Sequence, residues 1–227
     1  AVTFILGETG SGKTRLAGTW PDTLWLNAEG SGNLTALAGH KKPPTIDVPL
    51  SRKAIDFVVQ QLDAIRSLEP VEQNNGLPVY EYEGHRFKSV VLDSFDAVQD
   101  IAKMIVLGKR YSMTWDDWGE LETRMRPILI RANAMPMPMV IVAHVRTTER
   151  GDKRYGVKEW SARGSITERM DRVADEILHV VVIDGKRRLA TQKDTVHNGY
   201  VLLAKDRHER LKPIANKDGW VDIDGEN

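Results

Sequence analysis

Gly7-Glu8-Thr9-Gly10-Ser11-Gly12-Lys13-Thr14 fits the pattern G-x-x-x-x-G-K-[ST], a spacing whose chemistry is the cradling of phosphate. Glycines reach backbone angles that side chains disfavour, so successive N–H groups can turn inward onto phosphate oxygens. Lys13 would reach the β- and γ-phosphates and Thr14 a Mg²⁺ ion, and the nucleotide-binding stretch is read as Gly7 to Arg15. Two neighbours support this reading. Val2-Thr3-Phe4-Ile5-Leu6 is a short apolar, β-rich run before the loop, and Lys13-Thr14-Arg15-Leu16-Ala17 can open a helix after it, giving the order strand, loop, helix.

Three further polar residues end apolar runs. Thr23-Leu24-Trp25-Leu26-Asn27 reads as a buried strand, and Glu29 lies just beyond its carboxyl end. Ligands of open α/β sheets gather at that edge, so Glu29 is placed to take a proton from an attacking water; without that position it would read as a solvated loop carboxylate. Ser89-Val90-Val91-Leu92-Asp93-Ser94 is an apolar run ending in an acid. Asp93 there can support Mg²⁺ opposite Thr14, or can be no more than the cap of the next helix. Val140-Ile141-Val142-Ala143-His144 ends in a histidine, which is either structural or a contact for the γ-phosphate and the attacking water.

The segment from Val145 to Ser165 carries Arg146, Arg150, Lys153, Arg154, Lys158 and Arg163, with Tyr155 and Trp160 among them. Cations interleaved with aromatics supply the two things single-stranded nucleic acid needs, phosphate neutralisation and stacking. Glu149, Asp152 and Glu159 reduce the local charge, and a solvated hairpin is the competing reading.

The intervening elements must hold these groups together. Ser51 looks like the N-cap of a helix with Phe57, Val58, Leu62 and Ile65 on one face; further helices run through Phe95, Val98, Ile101 and Ile105, and through Trp118, Leu121, Met125, Ile128 and Leu129. Residues 69–88, with Asn74-Asn75-Gly76 and alternating Tyr80 and Tyr82, read as a hairpin-like insertion. Glu176 to Ile183 forms a strand, Asp184-Gly185 turns it back, and Tyr200 to Ala204 is the last strand before Lys205-Asp206-Arg207. One α/β domain over residues 1–227 follows, with the phosphate-loop strand near the centre of a mainly parallel sheet, helices on both faces and an antiparallel edge.

Bulk properties narrow the classes. With 32 basic and 32 acidic residues the formal charge is zero, so any nucleic-acid binding must come from local patches. There is no cysteine, which removes disulfides and thiolate zinc sites and fits a reducing cytosol. The longest apolar runs are strand-sized, so no membrane partner is expected.

Together these motifs resemble the RecA-like core shared by RecA, RadA and the DnaB-type helicases, and within that group the small phage ATPases of single-strand annealing and recombination. Asn27-Ala28-Glu29-Gly30 is similar to the strand end bearing the family's catalytic glutamate. Val90-Val91-Leu92-Asp93-Ser94 resembles its Walker B strand, His144 stands where the family places a γ-phosphate sensor, and residues 145–165 correspond to a mobile DNA-binding loop. Lys205-Asp206-Arg207 resembles the Lys-x-Arg element that reaches a neighbouring subunit's nucleotide; an ordinary basic turn is the alternative. The resemblance implies ATP with Mg²⁺, catalysis by Glu29, Lys13, His144, Lys205 and Arg207, a ring or filament with nucleotide at its interfaces, single-stranded DNA as partner and a single-strand-binding protein as a further one. A nucleotide-gated annealing module and an unwinding or packaging motor are the competing functions. The chain opens almost on its first strand, which leads us to expect an initiator Met or short leader outside it; with no primase-contacting domain before Val2, the extra hairpin around Tyr80 and no large domain after Trp220 in this sequence, we expect neither a complete replicative helicase nor a full-length RecA.

Overall fold

The strand-forming runs are apolar on both faces, as strands covered from both sides must be. The computed structural model describes residues 1–30, 37, 42–148, 156–160, 165–190, 195–197, 200–207, 209, 212–216 and 220–224. Strand β1 (Val2–Gly7) leads through the glycine loop into helix α1 (Lys13–Ala17), followed by β2 (Thr23–Asn27), β3 (Thr45–Asp47) and α2 (Ala54–Arg66). Three short strands come next, β4 (Glu72–Asn74), β5 (Leu77–Tyr82) and β6 (His85–Phe87), then β7 (Ser89–Asp93), α3 (Phe95–Leu107) and α4 (Trp115–Asn133). Strands β8 (Met139–Thr148) and β9 (Gly156–Trp160), helix α5 (Ser165–Val173) and strands β10 (Glu176–Ile183) and β11 (Lys186–Ala190) follow. The chain closes with β12 (Val196–His197), β13 (Tyr200–Leu202), β14 (Lys205–Asp206) and β15 (Trp220–Asp222).

Six strands run parallel in the order β3-β2-β7-β8-β1-β10, and β11 and β15 continue beyond β10 as an antiparallel edge. The expected α/β class, central phosphate-loop strand and antiparallel edge are therefore observed. Alternation sorts the side chains: Phe4, Leu6, Leu24, Leu26, Val90 and Leu92 enter the core that α2, α3, α4 and α5 share, while Ile5, Trp25, Val91, Val140 and Leu178 enter a smaller one with Ala17 of α1. Each such fully buried side chain contributes about 2 kcal/mol by removing apolar surface from water.

One register decides the rest. β8 lies between β1 and β7, pairing His144 with Gly7 and Val142 with Asp93. The phosphate loop and the Asp93 strand are thus one strand apart, and His144 fills the gap.

Two local expectations change, and one open alternative is decided. Ser51 is not the cap of α2: its hydroxyl accepts from Lys53 N at 3.3 Å in a turn, and Lys53 precedes the first helical residue. The strand ending at His144 continues to Thr148 and pairs antiparallel with β9, Val145 opposite Trp160, so residues 145–148 and 156–160 are a stem rather than loop. Asp93 does not cap α3, because Ser94 does, accepting from Ala97 N at 3.3 Å. Helix α1 covers the five residues read as its opening, Lys13–Ala17, with Gly18 as its C-cap. Residues 72–87 form a separate three-stranded antiparallel sheet, anchored where Tyr80 and Phe87 stack at 6.1 Å and Tyr82 donates to Gln61 Oε1 at 3.0 Å. Among the described residues no helix is long and apolar enough to cross a membrane.

Candidate nucleotide site

Gly12, with φ 99° and ψ 17°, stands immediately before α1 in the left-handed region, and Gly10 has φ 79°. An L side chain at either position would be strained, which is why the loop needs glycine there. Ser11 N closes the turn on Glu8 O at 3.2 Å. Ser11 Oγ is buried and has no hydrogen-bond partner among the described residues, an orphaned polar atom of the kind a bound ligand satisfies.

Lys13 is buried to 6% exposure. Its ammonium donates to Glu8 O at 2.9 Å and to His144 Nδ1 at 3.3 Å. Burial pushes its pKa down, opposed by Glu29, Asp93, Asp96 and Glu8. The acids therefore offset part of the desolvation of a cation placed to meet phosphate oxygens.

His144 is held on three sides. Its backbone N–H donates to Asp96 Oδ2 at 2.6 Å, and its ring sits between Lys13 and Glu29, with Nε2 3.3 Å from Glu29 Oε1. Because Lys13 can only donate, Nδ1 is the acceptor and Nε2 carries the proton toward Glu29, which fixes the tautomer from the network.

Ser94 Oγ also donates to Glu29 Oε1. The hydrogen bond from His144 holds the Glu29 carboxyl below its ordinary value, against burial and with help from Ser94 and Lys13. Among the described residues both of these contacts fall on Oε1, which leaves Oε2 for a water. Backbone ties set this position: Ala28 N donates to Asp93 O at 2.7 Å, and Asn27 bridges Asp47 at 2.8 Å and Glu29 N at 3.4 Å.

Thr14 Oγ1 donates to Asp93 Oδ2 at 2.9 Å, and Asp93 is 1% exposed. Burial, then the nearby Glu29 charge, push the Asp93 carboxyl up to about 6, against Thr14 and Lys13. Asp96 is raised to about 6 as well, chiefly by burial. Buried carboxylates beside one ammonium and an orphaned hydroxyl fit a Mg²⁺-triphosphate. Thr14 and Asp93 would hold the ion, and none of the described residues form a cluster of three or more acidic or histidine side chains able to hold a metal alone, as expected for an ion that takes its other oxygens from phosphate and water. When bound, Mg²⁺ neutralises charge on the phosphate oxygens.

A cleft of about 260 Å³ gathers Gly10, Gly12, Lys13, Thr14, Glu29, Asp93 and His144, bringing together the loop, the metal pair, the base and the sensor expected from sequence. Arg15 lines it too, and so does Arg187 of β11, which the motifs did not single out. The signal for Arg187 was indirect: a turn at Asp184-Gly185, both with positive φ, folds β11 back along β10 and sets Arg187 opposite Val182.

Lys205 and Arg207 are elsewhere. β14 pairs with the first residues of β10, at the opposite edge of the sheet, roughly 16 Å along the strands from the loop. There Lys205 Nζ donates to the carbonyls of Asp171 and Ala174 at 2.8 and 2.7 Å, closing the end of α5, and Arg207 pairs with Asp175 at 2.6 Å. Within one subunit they do not join the cleft. Of the nucleic-acid candidates, Arg146 lies on β8, two residues past His144, and Lys158 and Trp160 lie on β9. Arg150, Lys153, Arg154 and Arg163 lie outside the described residues, as does Tyr155.

A glycine loop between a central parallel strand and a helix, with a buried Thr–Asp pair beside it, defines a P-loop nucleoside triphosphatase. The model of the AAA_24 family, an AAA domain, matches residues 1–208, and the chain belongs to that family of P-loop ATPases. Among solved structures, a prototypical ATPase from the type III secretion system of pathogenic bacteria is similar at 12% identity, over 79% of this chain and 51% of that one, with a TM-score of 0.45. The RadB recombinase is similar at 15% identity, over 83% of this chain and 79% of that one, with a TM-score of 0.43. The chain thus spans about half the length of the secretion ATPase. No curated protein matches it.

Proposed function

We propose that this P-loop ATPase couples Mg²⁺-ATP hydrolysis to single-stranded DNA binding and self-assembly, in recombination or strand annealing of the phage type. Glu29 accepts the proton of the attacking water through Oε2, Lys13 and the loop amides stabilise phosphate charge, and Thr14 and Asp93 support the metal. The observation that carries the coupling is the position of His144. Its ring touches both Glu29 and Lys13, and its strand runs on without a break into the β8–β9 stem that bears Arg146. A change in charge at the γ-phosphate therefore acts on the residue that starts the stem, and a polymer bound along the stem acts back on the base. Arg207 completes a neighbour's site in trans, stabilising transition-state charge, which makes the active form an oligomer.

The test is ATP turnover per subunit, with and without single-stranded DNA, over a range of protein concentration. Turnover rises with both. A rate independent of DNA and of concentration overturns the coupling and the trans site together.

A further inference from the structure

Arg187 approaches the P-loop from outside the parallel core. A Cβ placed on Gly12 would lie 2.5 Å from Arg187 Nε, so the guanidinium fills the space that the glycine leaves open. Its Nε–H is buried with no acceptor among the described residues. Another of its donors is committed: Nη1 pairs with Asp224 Oδ1 at 3.1 Å, and the Arg187 backbone N–H donates to Asp224 Oδ2 at 2.8 Å. Ile223 N donates to Arg187 O at 3.1 Å, so the segment after β15 is fastened to the same residue. Asp224 is held below its ordinary pKa first by that backbone hydrogen bond and then by the guanidinium, with Arg15 adding to the effect.

A guanidinium presents five N–H groups in a fixed fork and no acceptor, a shape suited to phosphate oxygens. Here one of its donors faces the phosphate loop unused, while a carboxylate takes another. We propose that Arg187 is a phosphate ligand supplied by its own subunit, and that Asp224 competes with the nucleotide for it. Triphosphate draws the guanidinium off Asp224 and loosens the hold on the segment after β15; loss of the nucleotide returns it. This rests on the reading of Gly7 to Thr14 as the nucleotide site. The role differs from that of Arg207, since Arg187 needs no neighbouring subunit.

Binding of a fluorescent ATP analogue with Mg²⁺, and its displacement by inorganic triphosphate, is measured for the wild type, Arg187→Ala, Arg187→Lys, Asp224→Asn and the Asp224→Asn/Arg187→Ala double variant, with Lys13→Ala as reference. Arg187→Ala weakens both ligands by about tenfold, Arg187→Lys by less, and Asp224→Asn tightens both several-fold. The double variant binds no better than Arg187→Ala, because Asp224 acts only through that side chain. Unchanged affinity in Arg187→Ala and Asp224→Asn, while Lys13→Ala loses binding, overturns the role of Arg187 and leaves the nucleotide site standing. A loss confined to the analogue, with inorganic triphosphate unaffected, overturns phosphate contact in favour of the base or ribose. Normal binding by Lys13→Ala overturns the site itself. If Arg187→Ala does not fold, Arg187→Lys and Asp224→Asn still give opposite shifts, and shifts of the same sign contradict the competition.

Discussion

The two edges of the parallel sheet treat their charges in opposite ways. At the carboxyl edge Lys13, Glu29, Asp93 and Asp96 crowd around His144, two of the acids are pushed up to about 6, and Ser11 Oγ has no partner among the described residues. At the amino edge Lys205 neutralises the end of α5 and Arg207 sits on Asp175, whose other oxygen accepts from Val2 N at 2.9 Å. The first edge is an arrangement that a ligand improves; the second is already satisfied. Lys205 and Arg207 at the satisfied edge already hold contacts within their own chain, whereas the crowded edge carries a standing cost that binding relieves.

The largest effect separating the edges belongs to Asp93. A buried carboxyl raised from 3.8 to about 6 favours the folded state when protonated. That stability is fully present below the ordinary value and is lost as the pH rises through about 6. At 1.36 kcal/mol per pKa unit the cost at neutral pH is about 3 kcal/mol. Asp93→Asn, which still accepts from Thr14, should therefore unfold at higher temperature than the wild type at pH 8, with the gap closing toward pH 4, while Mg²⁺-dependent turnover is lost. Thermal unfolding across that pH range checks this, and equal midpoints at pH 8 would remove the claim of a strained edge.

A smaller effect is expected at the other edge. The Arg207–Asp175 pair is partly exposed, the arginine side chain 46% and the aspartate 21%, and such pairs contribute about 0–1 kcal/mol. Arg207→Ala should thus barely move the unfolding midpoint. If Arg207 serves a neighbour, Arg207→Ala subunits turn over slowly alone but regain activity when mixed with Lys13→Ala subunits, each supplying what the other lacks. Mixing without recovery confines Arg207 to the contact seen within one chain.

The crowded edge was legible in the sequence because its logic is local. Glycine spacing marks the loop, and Glu29, Asp93 and His144 each stand at or near the end of an apolar run, which a parallel sheet gathers at one edge. What pairings decide was not legible. That His144 would lie between the other two strands depends on β8 entering between β1 and β7, and that its strand would run on to Thr148 depends on pairing with β9. Asp96 and Ser94 sit on the turn of α3, where capping and proximity to His144 and Glu29 appear only in three dimensions. Arg187 was hidden for the same reason: it reads as one cation among Lys186-Arg187-Arg188, and only the hairpin register turns it toward Gly12. The partners of Lys205 and Arg207, more than thirty residues earlier in sequence, carry no local signal.

The central claim is that the carboxyl-edge cluster is a hydrolytic site with Glu29 as its base, and single-turnover hydrolysis by Glu29→Gln, measured alongside nucleotide affinity, addresses it most directly. Gln keeps an acceptor for Ser94 and His144 but cannot take a proton, so affinity should stay within a few-fold of wild type while the hydrolytic step slows by about 10²–10⁴. Hydrolysis at the wild-type rate in that variant would contradict the account.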